Sequence, residues 1–349
     1  MKKIKILLYF MVVWLVGKDL SAQQFFFSEF YLNKLNLNPA YAVLNGRISF
    51  TTVNRTQWMA VPGGYNTNSS SFAYEQPIGK DTQFHIGGGL LFNHSIEGSA
   101  ALKTTQLKPV FAMGFETDTW VLRGGVAHSI MTQNYNQDNL IFSDQINPYT
   151  NNIVESTVSL NSENLPIKYS NYEFGVVFED KTNNWTFGMK GSNLIPNKDR
   201  MGLNNLTDKQ DKYVELFGVY SFDYDKHGQK VDEITLAADI KYYDLSNSQL
   251  LSFDIGGYSR QGNYLTGLFF RSSKRLVKST NALSFHLGYV NDGDSFKWQV
   301  IYAIDANVGG LAGGINDGWP GTNMELGFSI ISKKIRAKKG APRVDCTRF

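Results

Sequence analysis

The chain has 349 residues, a formal net charge of +3 and one cysteine, Cys346. So small a charge excludes the electrostatic footprint of a nucleic-acid binder, and a lone cysteine excludes an intrachain disulfide or a cysteine-rich metal site. Aromatic residues make up 14% of the chain, with 32 glycines but only 9 prolines, a composition that suits an all-β protein.

The first element is a targeting segment. Lys2, Lys3 and Lys5 form a basic region, Ile6 to Val16 is apolar throughout, and Leu20-Ser21-Ala22 ends on a small residue. That pattern predicts a signal peptide over 1–22, with Gln23 as the mature start. The apolar run is too short to span a bilayer core, which needs roughly 20 residues. The next segment, 23–45, does not alternate like a strand. It combines Phe25, Phe26, Phe27, Phe30, Tyr31 and Tyr41 with the turn-prone Asn33, Asn36, Asn38 and Pro39. Two placements stay open for it: a periplasmic strap, or a plug inside a lumen.

From residue 48 onward about fourteen strand-like runs follow. In Glu233–Tyr242 one face reads Ile234, Leu236, Ala238, Ile240, Tyr242 and the other Glu233, Thr235, Ala237, Asp239, Lys241. Ala282–Tyr289, Phe296–Asp305 and Asn323–Ile330 alternate in the same way. Successive strand side chains point to opposite faces, so each run has one apolar and one mostly polar face. A soluble sandwich shares that period. Three observations favour a membrane barrel: the export signal, Trp or Tyr near strand ends (Trp120, Trp185, Tyr242, Tyr289, Trp298), and mid-strand charge on the polar face (Asp239, Asp254, Glu325). The mean hydropathy of −0.27 agrees, because only alternate residues of a barrel face lipid. Tyr264–Arg271 and Lys108–Phe115 alternate poorly, and Pro109 interrupts the ladder of the latter.

The connections alternate in length. The odd ones fall near 59–67, 94–101, 134–170, 193–210, 243–249, 272–281 and 307–322. The even ones, near 76–83, 116–119, 180–183, 225–231, 259–263 and 290–295, are short. The fold class expected is therefore an all-β transmembrane antiparallel β-barrel of about fourteen strands, with short periplasmic turns, long extracellular loops and both termini periplasmic. It forms one domain over 23–349 and ends in a basic tail, 333–349, read as solvated or as a contact for a cell-wall polymer or periplasmic partner.

Several stretches resemble one family. Phe27-Ser28-Glu29-Phe30-Tyr31, then Asn38-Pro39-Ala40-Tyr41, is similar to the start of the PorP/SprF family, outer-membrane proteins associated with the type IX secretion system. Arg55-Thr56-Gln57-Trp58 resembles its arginine–glutamine–tryptophan strand end, and Phe142-Ser143-Asp144-Gln145-Ile146 its large-loop segment. Asn323–Phe328, with Glu325, resembles its final strand, and Cys346-Thr347-Arg348-Phe349 its terminus. The resemblance implies a partner: a secreted adhesin bearing a C-terminal sorting domain, held at the cell surface, in some members in the service of gliding motility.

The chemistry-bearing residues point away from catalysis. His85, His94, His128, His227 and His286 form no ligand-spaced pair, so they read as structural or lumen-facing and no metal is expected. Asp239, Asp254, Asp305 and Glu325 read as partners of Lys190, Arg123 and Lys241 in an internal ion network. Gly87-Gly88-Gly89 sits within a strand, where glycine permits close packing, and is no phosphate loop. No nucleophile elbow or nucleotide fingerprint occurs, so no cofactor and no enzyme activity are expected. Partner contacts are expected on the outer connections, at Asp144 and Gln145 in one and Trp319 in another. The leading expectation is thus an outer-membrane barrel that docks or anchors a secreted cargo, bound to outer-membrane lipid and to a periplasmic secretion component. The alternative is a passive channel or transporter, and a plugged lumen separates the two.

Overall fold

The computed structural model describes residues 27–44, 48–58, 63–79, 83–98, 102–134, 166–193, 212–224, 232–245, 248–275, 279–308 and 323–333. The expected signal peptide, Asp144, Gln145, Trp319 and the basic tail beyond Lys333 lie outside them. A short helix α1 (Lys34–Leu37) and a 3₁₀ turn (Pro39–Ala42) precede fourteen strands. These are β1 (Ile48–Gln57), β2 (Tyr65–Ile78), β3 (Phe84–Glu97), β4 (Leu102–Glu116), β5 (Trp120–Asn134), β6 (Ile167–Asp180) and β7 (Trp185–Ser192). Then come β8 (Lys212–Tyr224), β9 (Asp232–Leu245), β10 (Ser248–Gln261), β11 (Tyr264–Arg275), β12 (Ser279–Asp292), β13 (Phe296–Asn307) and β14 (Asn323–Ser332).

Each strand pairs antiparallel with its sequence neighbours, and β1 pairs with β14, so the sheet closes into a barrel with no open edge. Closure matters in lipid because an unpaired backbone group has no water to bond. At Pro109, which has no N–H, the pairing of β4 with β5 skips from Leu107–Ile130 to Val110–Ala127.

Alternation sets the two faces. Leu236, Ile240, Phe285, Leu287 and Leu326 are outward and exposed, whereas Asp239, Lys241, Ser284, His286 and Glu325 are inward and buried. The outward face meets lipid, and the mixed lumen face is covered by neighbouring side chains and by residues 27–44. No described helix is long and apolar enough to cross a membrane.

The strands run further than the sequence suggested, so three outer connections contract to 98–101, 246–247 and 276–278. The asymmetry between rims rests instead on 135–166, 193–211 and 308–322. The short-turn rim, which is the periplasmic one in such barrels, carries an aromatic belt. Phe84, Phe115 and Trp120 pack in series at 4.8 and 5.5 Å between ring centres. Trp185 stacks on Tyr220 at 4.3 Å, and Tyr289 bridges Tyr264 (5.7 Å) and Trp298 (5.6 Å). Tyr242 lies toward the other end of its strand.

Candidate functional site: a latched lumen

Residues 27–44 lie inside the barrel rather than beneath it. Phe27, Phe30, Tyr31, Leu32, Leu37, Ala40 and Tyr41 form one buried cluster with Val53, Val177, Phe217, Tyr258, Phe269 and Ile301 of the walls. Leu35, Ala42 and Val43 form a second with Leu91, Val110, Ala112 and Ala127. Each buried Phe, Leu or Val among them contributes about 1.5–3 kcal/mol relative to exposure, which explains why so aromatic a segment withdraws from water.

The Asn38-Pro39-Ala40-Tyr41 stretch has a clear local logic. The Asn38 side chain caps the 3₁₀ turn, accepting from the Ala40 amide at 2.9 Å, and Pro39 supplies the fixed φ that opens such a turn. The same Asn38 side chain donates to the carbonyls of Met189 (2.9 Å) and Val176 (3.4 Å), tying the turn to β6 and β7. Tyr41 stacks on Phe217 at 5.9 Å.

The wall beneath the turn is made of small residues. Gly87, Ala112, Gly125 and Gly175 are successive cross-strand partners on β3 to β6. A Cβ on Gly125 would lie 2.5 Å from Ala40 N, and one on Gly87 or Gly175 would overlap the Ala42 carbonyl or the Asn38 side chain. The glycine run around Gly87 thus serves close packing against the N-terminal segment.

The opposite wall carries charge in an unbroken ladder. Lys190 meets Glu215 at 2.5 Å, Lys241 contacts Glu215, Asp239 and Asp254, and Arg271 meets Asp254 at 2.6 Å. Arg271 also reaches Asp305 (3.5 Å), which Arg55 shares at 3.0 Å, and Arg55 pairs with Glu325 at 3.0 Å. Lys241 meets Asp239 and Asp254 as expected, but the other expected pairings need correction. Asp305 and Glu325 are held by Arg55 and Arg271, and Arg123 pairs with Glu179 at 2.9 Å, because register decides which charges meet.

This ladder ends on the N-terminal segment. The backbone amides of Ser28 and Glu29 donate to Glu325, at 2.5 and 2.7 Å from Ser28 and 3.1 Å from Glu29. Ser28 Oγ lies 2.6 Å from Asp305 and accepts from Arg55 at 2.7 Å. Further along, Tyr31 Oη bonds His286 Nδ1 (2.9 Å), Asn33 bonds Ser69 and Ser71 (2.6 and 3.2 Å), and Lys190 donates to the Asn36 carbonyl (2.9 Å). Glu29 is different. Its carboxylate is fully buried against Gly327 with both oxygens unbonded. Burial, then the nearby Glu325 and Asp305 carboxylates, push its carboxyl well above the usual range. Burial likewise pushes the Lys34 ammonium down to about 8.

Three of the motif stretches therefore meet in one buried cluster: Ser28 of the first, Arg55 of the second, Glu325 of the last. Gln57 ends β1, and Trp58 opens the following turn at φ 54°, edge-on to Tyr65 at 4.8 Å. Asp305 was expected in an internal ion network beside Glu325, whereas Arg271 was not; its only signal was a single charge on an inward strand position. Of the histidines, His85 and His286 face the lumen, whereas His94 bonds Thr105 and His128 stacks on Tyr172, away from it. Among the described residues no group of three or more His, Cys, Asp or Glu is arranged to hold a metal.

The family model described as type IX secretion system membrane protein PorP/SprF matches residues 20–319. No curated protein sequence matches the chain. Among solved structures, a Pseudomonas aeruginosa FadL homologue is similar with a TM-score of 0.48 at 12% identity, covering 84% of this chain and 92% of that one. The P. putida toluene transporter TodX gives 0.44 at 7% (86% and 93%), and CdiB from Acinetobacter baumannii gives 0.41 at 10% (81% and 60%). With its closed lipid-facing barrel and a family match over most of its length, this chain is an outer-membrane protein and belongs to the PorP/SprF family of type IX secretion system membrane proteins.

Proposed function

We propose that this barrel is a non-catalytic anchor that holds a type IX secreted cargo, an adhesin or its C-terminal sorting domain, on its outer connections. The carrying observation is the filled lumen. Residues 27–44 occupy it and are bonded to β1, β2, β6, β7, β12 and β14, which supports a closed scaffold over a passage for solutes. The long connections 135–166 and 193–211 leave from neighbouring strand ends, where β7 stops at Ser192 opposite Glu173 of the longer β6. Loops of that length in an otherwise compact barrel suggest a use. Asp144 and Gln145 lie on the first, and Trp319 on the connection 308–322. The short-turn rim and the terminal segments face a periplasmic secretion component. Where the cargo is a motility adhesin, the same anchorage serves gliding.

Shortening Asn147–Asn161 tests this. The expected result is an assembled barrel whose cargo is released from the cell surface into the medium, while Asp254→Asn retains it. Purified wild-type protein is expected to show little single-channel conductance. Retention by the shortened protein together with large wild-type conductance would replace the anchor reading with the channel.

A further inference from the structure

The N-terminal segment begins near one rim of the lumen and ends near the other. Phe27 and Ser28 stand toward the outer end. The Phe27 carbonyl accepts from Arg271 at 3.2 Å, and Ser28 Oγ lies 2.6 Å from Asp305 and 2.7 Å from Arg55. Arg55 is two residues from the end of β1, Asp305 two from the end of β13, and Glu325 two from the start of β14. All three strand ends open onto outer connections. Asn33 then bonds Ser69 on β2, and the Asn36 carbonyl bonds Lys190 on β7, so the segment crosses the lumen before it descends. Its last residues lie at the short-turn rim. A Cβ on Gly87 would overlap the Ala42 carbonyl, and one on Gly114 would sit 2.9 Å from Val43. Gly87 is three residues from the start of β3 and Gly114 two from the end of β4.

The lower lumen has no room for the chain ahead of Phe27 to turn back through it. Beneath Ser28 it is filled with rings: Phe30 is edge-on to Phe269 at 6.0 Å, Tyr31 lies 4.2 Å from Tyr258, and Tyr258 lies 4.9 Å from Phe269. The β3 to β6 side is taken by Pro39–Val43, which leave no space for a Cβ on Gly125 or Gly175. Two cavities remain against the other walls, one between Ser49 and Gln299 and one between Thr235 and Val290. At about 10 and 30 Å³ they admit a water or two, not a second pass of backbone.

We propose that the chain ahead of Phe27 leaves through the outer mouth, so that the mature N-terminus is displayed on the cell exterior. The segment then runs through the lumen from outside to inside and meets the periplasm only at its end, beside Leu44. The periplasmic placement expected for both termini is kept for the C-terminus, where the Lys333 amide donates to Ser295 in a short turn. With cleavage after Ala22, the displayed residues are Gln23-Gln24-Phe25-Phe26. Their use rests on the anchor reading, which would make them part of the face that holds cargo. Their location does not depend on it.

The test reads location without cargo. In the full-length Cys346→Ser protein, single cysteines are placed at Gln24, at Asn134 on the exposed outer end of β5, and at Asp294 in the exposed turn between β12 and β13. A membrane-impermeant maleimide is applied to intact and to permeabilised cells, and only the folded, mature-sized band is read. Gln24→Cys is expected to react equally in both, as Asn134→Cys does, while Asp294→Cys reacts only after permeabilisation. Reaction of Gln24→Cys only after permeabilisation would place the N-terminus in the periplasm, and no reaction in either state would enclose it in the barrel. Each would overturn the display.

Discussion

Arg55 on β1 and Glu325 on β14 are register partners across the seam where the first strand meets the last, with Nη1 3.0 Å from Oε1. Arg55 also holds Asp305 and the Ser28 hydroxyl, so one guanidinium serves both barrel closure and the latch on the N-terminal segment. Removing it leaves two buried carboxylates without their shared cation. Arg55→Ala is expected to lower stability to urea in micelles by about 3–5 kcal/mol. Arg55→Lys should recover only part of this, because an ammonium cannot reproduce the planar fork that spans both partners. A loss below about 1 kcal/mol for Arg55→Ala would show that Arg271 alone satisfies the site.

The small-residue row on β3 to β6 predicts a separable defect. Valine suits a strand, so Gly125→Val and Gly175→Val should leave the barrel closed. Their side chains would occupy the space of Pro39 and Asn38. The segment 27–44 is then expected to leave its seat, raising single-channel conductance to that of a protein lacking those residues. Gly124→Val, at an outward position with open space around it, should change nothing. Unchanged conductance in all three would mean that the segment does not close the lumen.

Much of this was legible in the sequence, for identifiable reasons. Alternation is a local property, so the inward and outward faces at Leu236, Phe285 and Phe328 followed directly from residue identity. Pro109 announced its own break in the ladder. Ion pairing was less legible because it depends on register between strands far apart in the chain. Nothing local links Arg55 with Asp305, and Lys190 and Lys241 engage Glu215, Asp239 and Asp254 further along the same ladder. Gly125 and Gly175 were unread for the same reason. Each is unremarkable on its own strand and acquires meaning only once it faces the Asn38 turn.

Glu29 makes stability depend on pH in a defined direction. Its carboxyl is raised in the folded protein, chiefly by burial and then by Glu325 and Asp305. The folded state therefore holds the proton more tightly than the unfolded chain. This contribution is full below the ordinary value of 4.5 and is lost as pH climbs from there through the raised folded value. Glu29→Gln keeps the shape without the charge. It is expected to be the more stable protein at neutral and alkaline pH, with a flatter stability profile above about pH 4.5. A variant less stable than wild type at pH 8 would show that the ionised carboxylate is held by a partner.

Depth on the lipid face should grade the cost of charge. Phe285 lies at the middle of β12 and is 52% exposed, whereas Tyr264 opens β11 at the aromatic rim and is 69% exposed. An arginine near the midplane must stay in hydrocarbon or deform the bilayer, at about 2–4 kcal/mol, while one near an interface costs about 0–1 kcal/mol. Phe285→Arg is therefore expected to lose most of that range in unfolding from lipid vesicles and to assemble poorly. Tyr264→Arg should lose little beyond its ring contact with Tyr289, and Phe285→Leu should stay close to wild type. The comparison turns on depth, since the rim position is the more exposed of the two. Equal penalties for the two arginine variants would place the hydrocarbon boundary below the aromatic rim. A cheap Phe285→Arg beside a costly Tyr264→Arg would invert the assigned position of the membrane on the barrel.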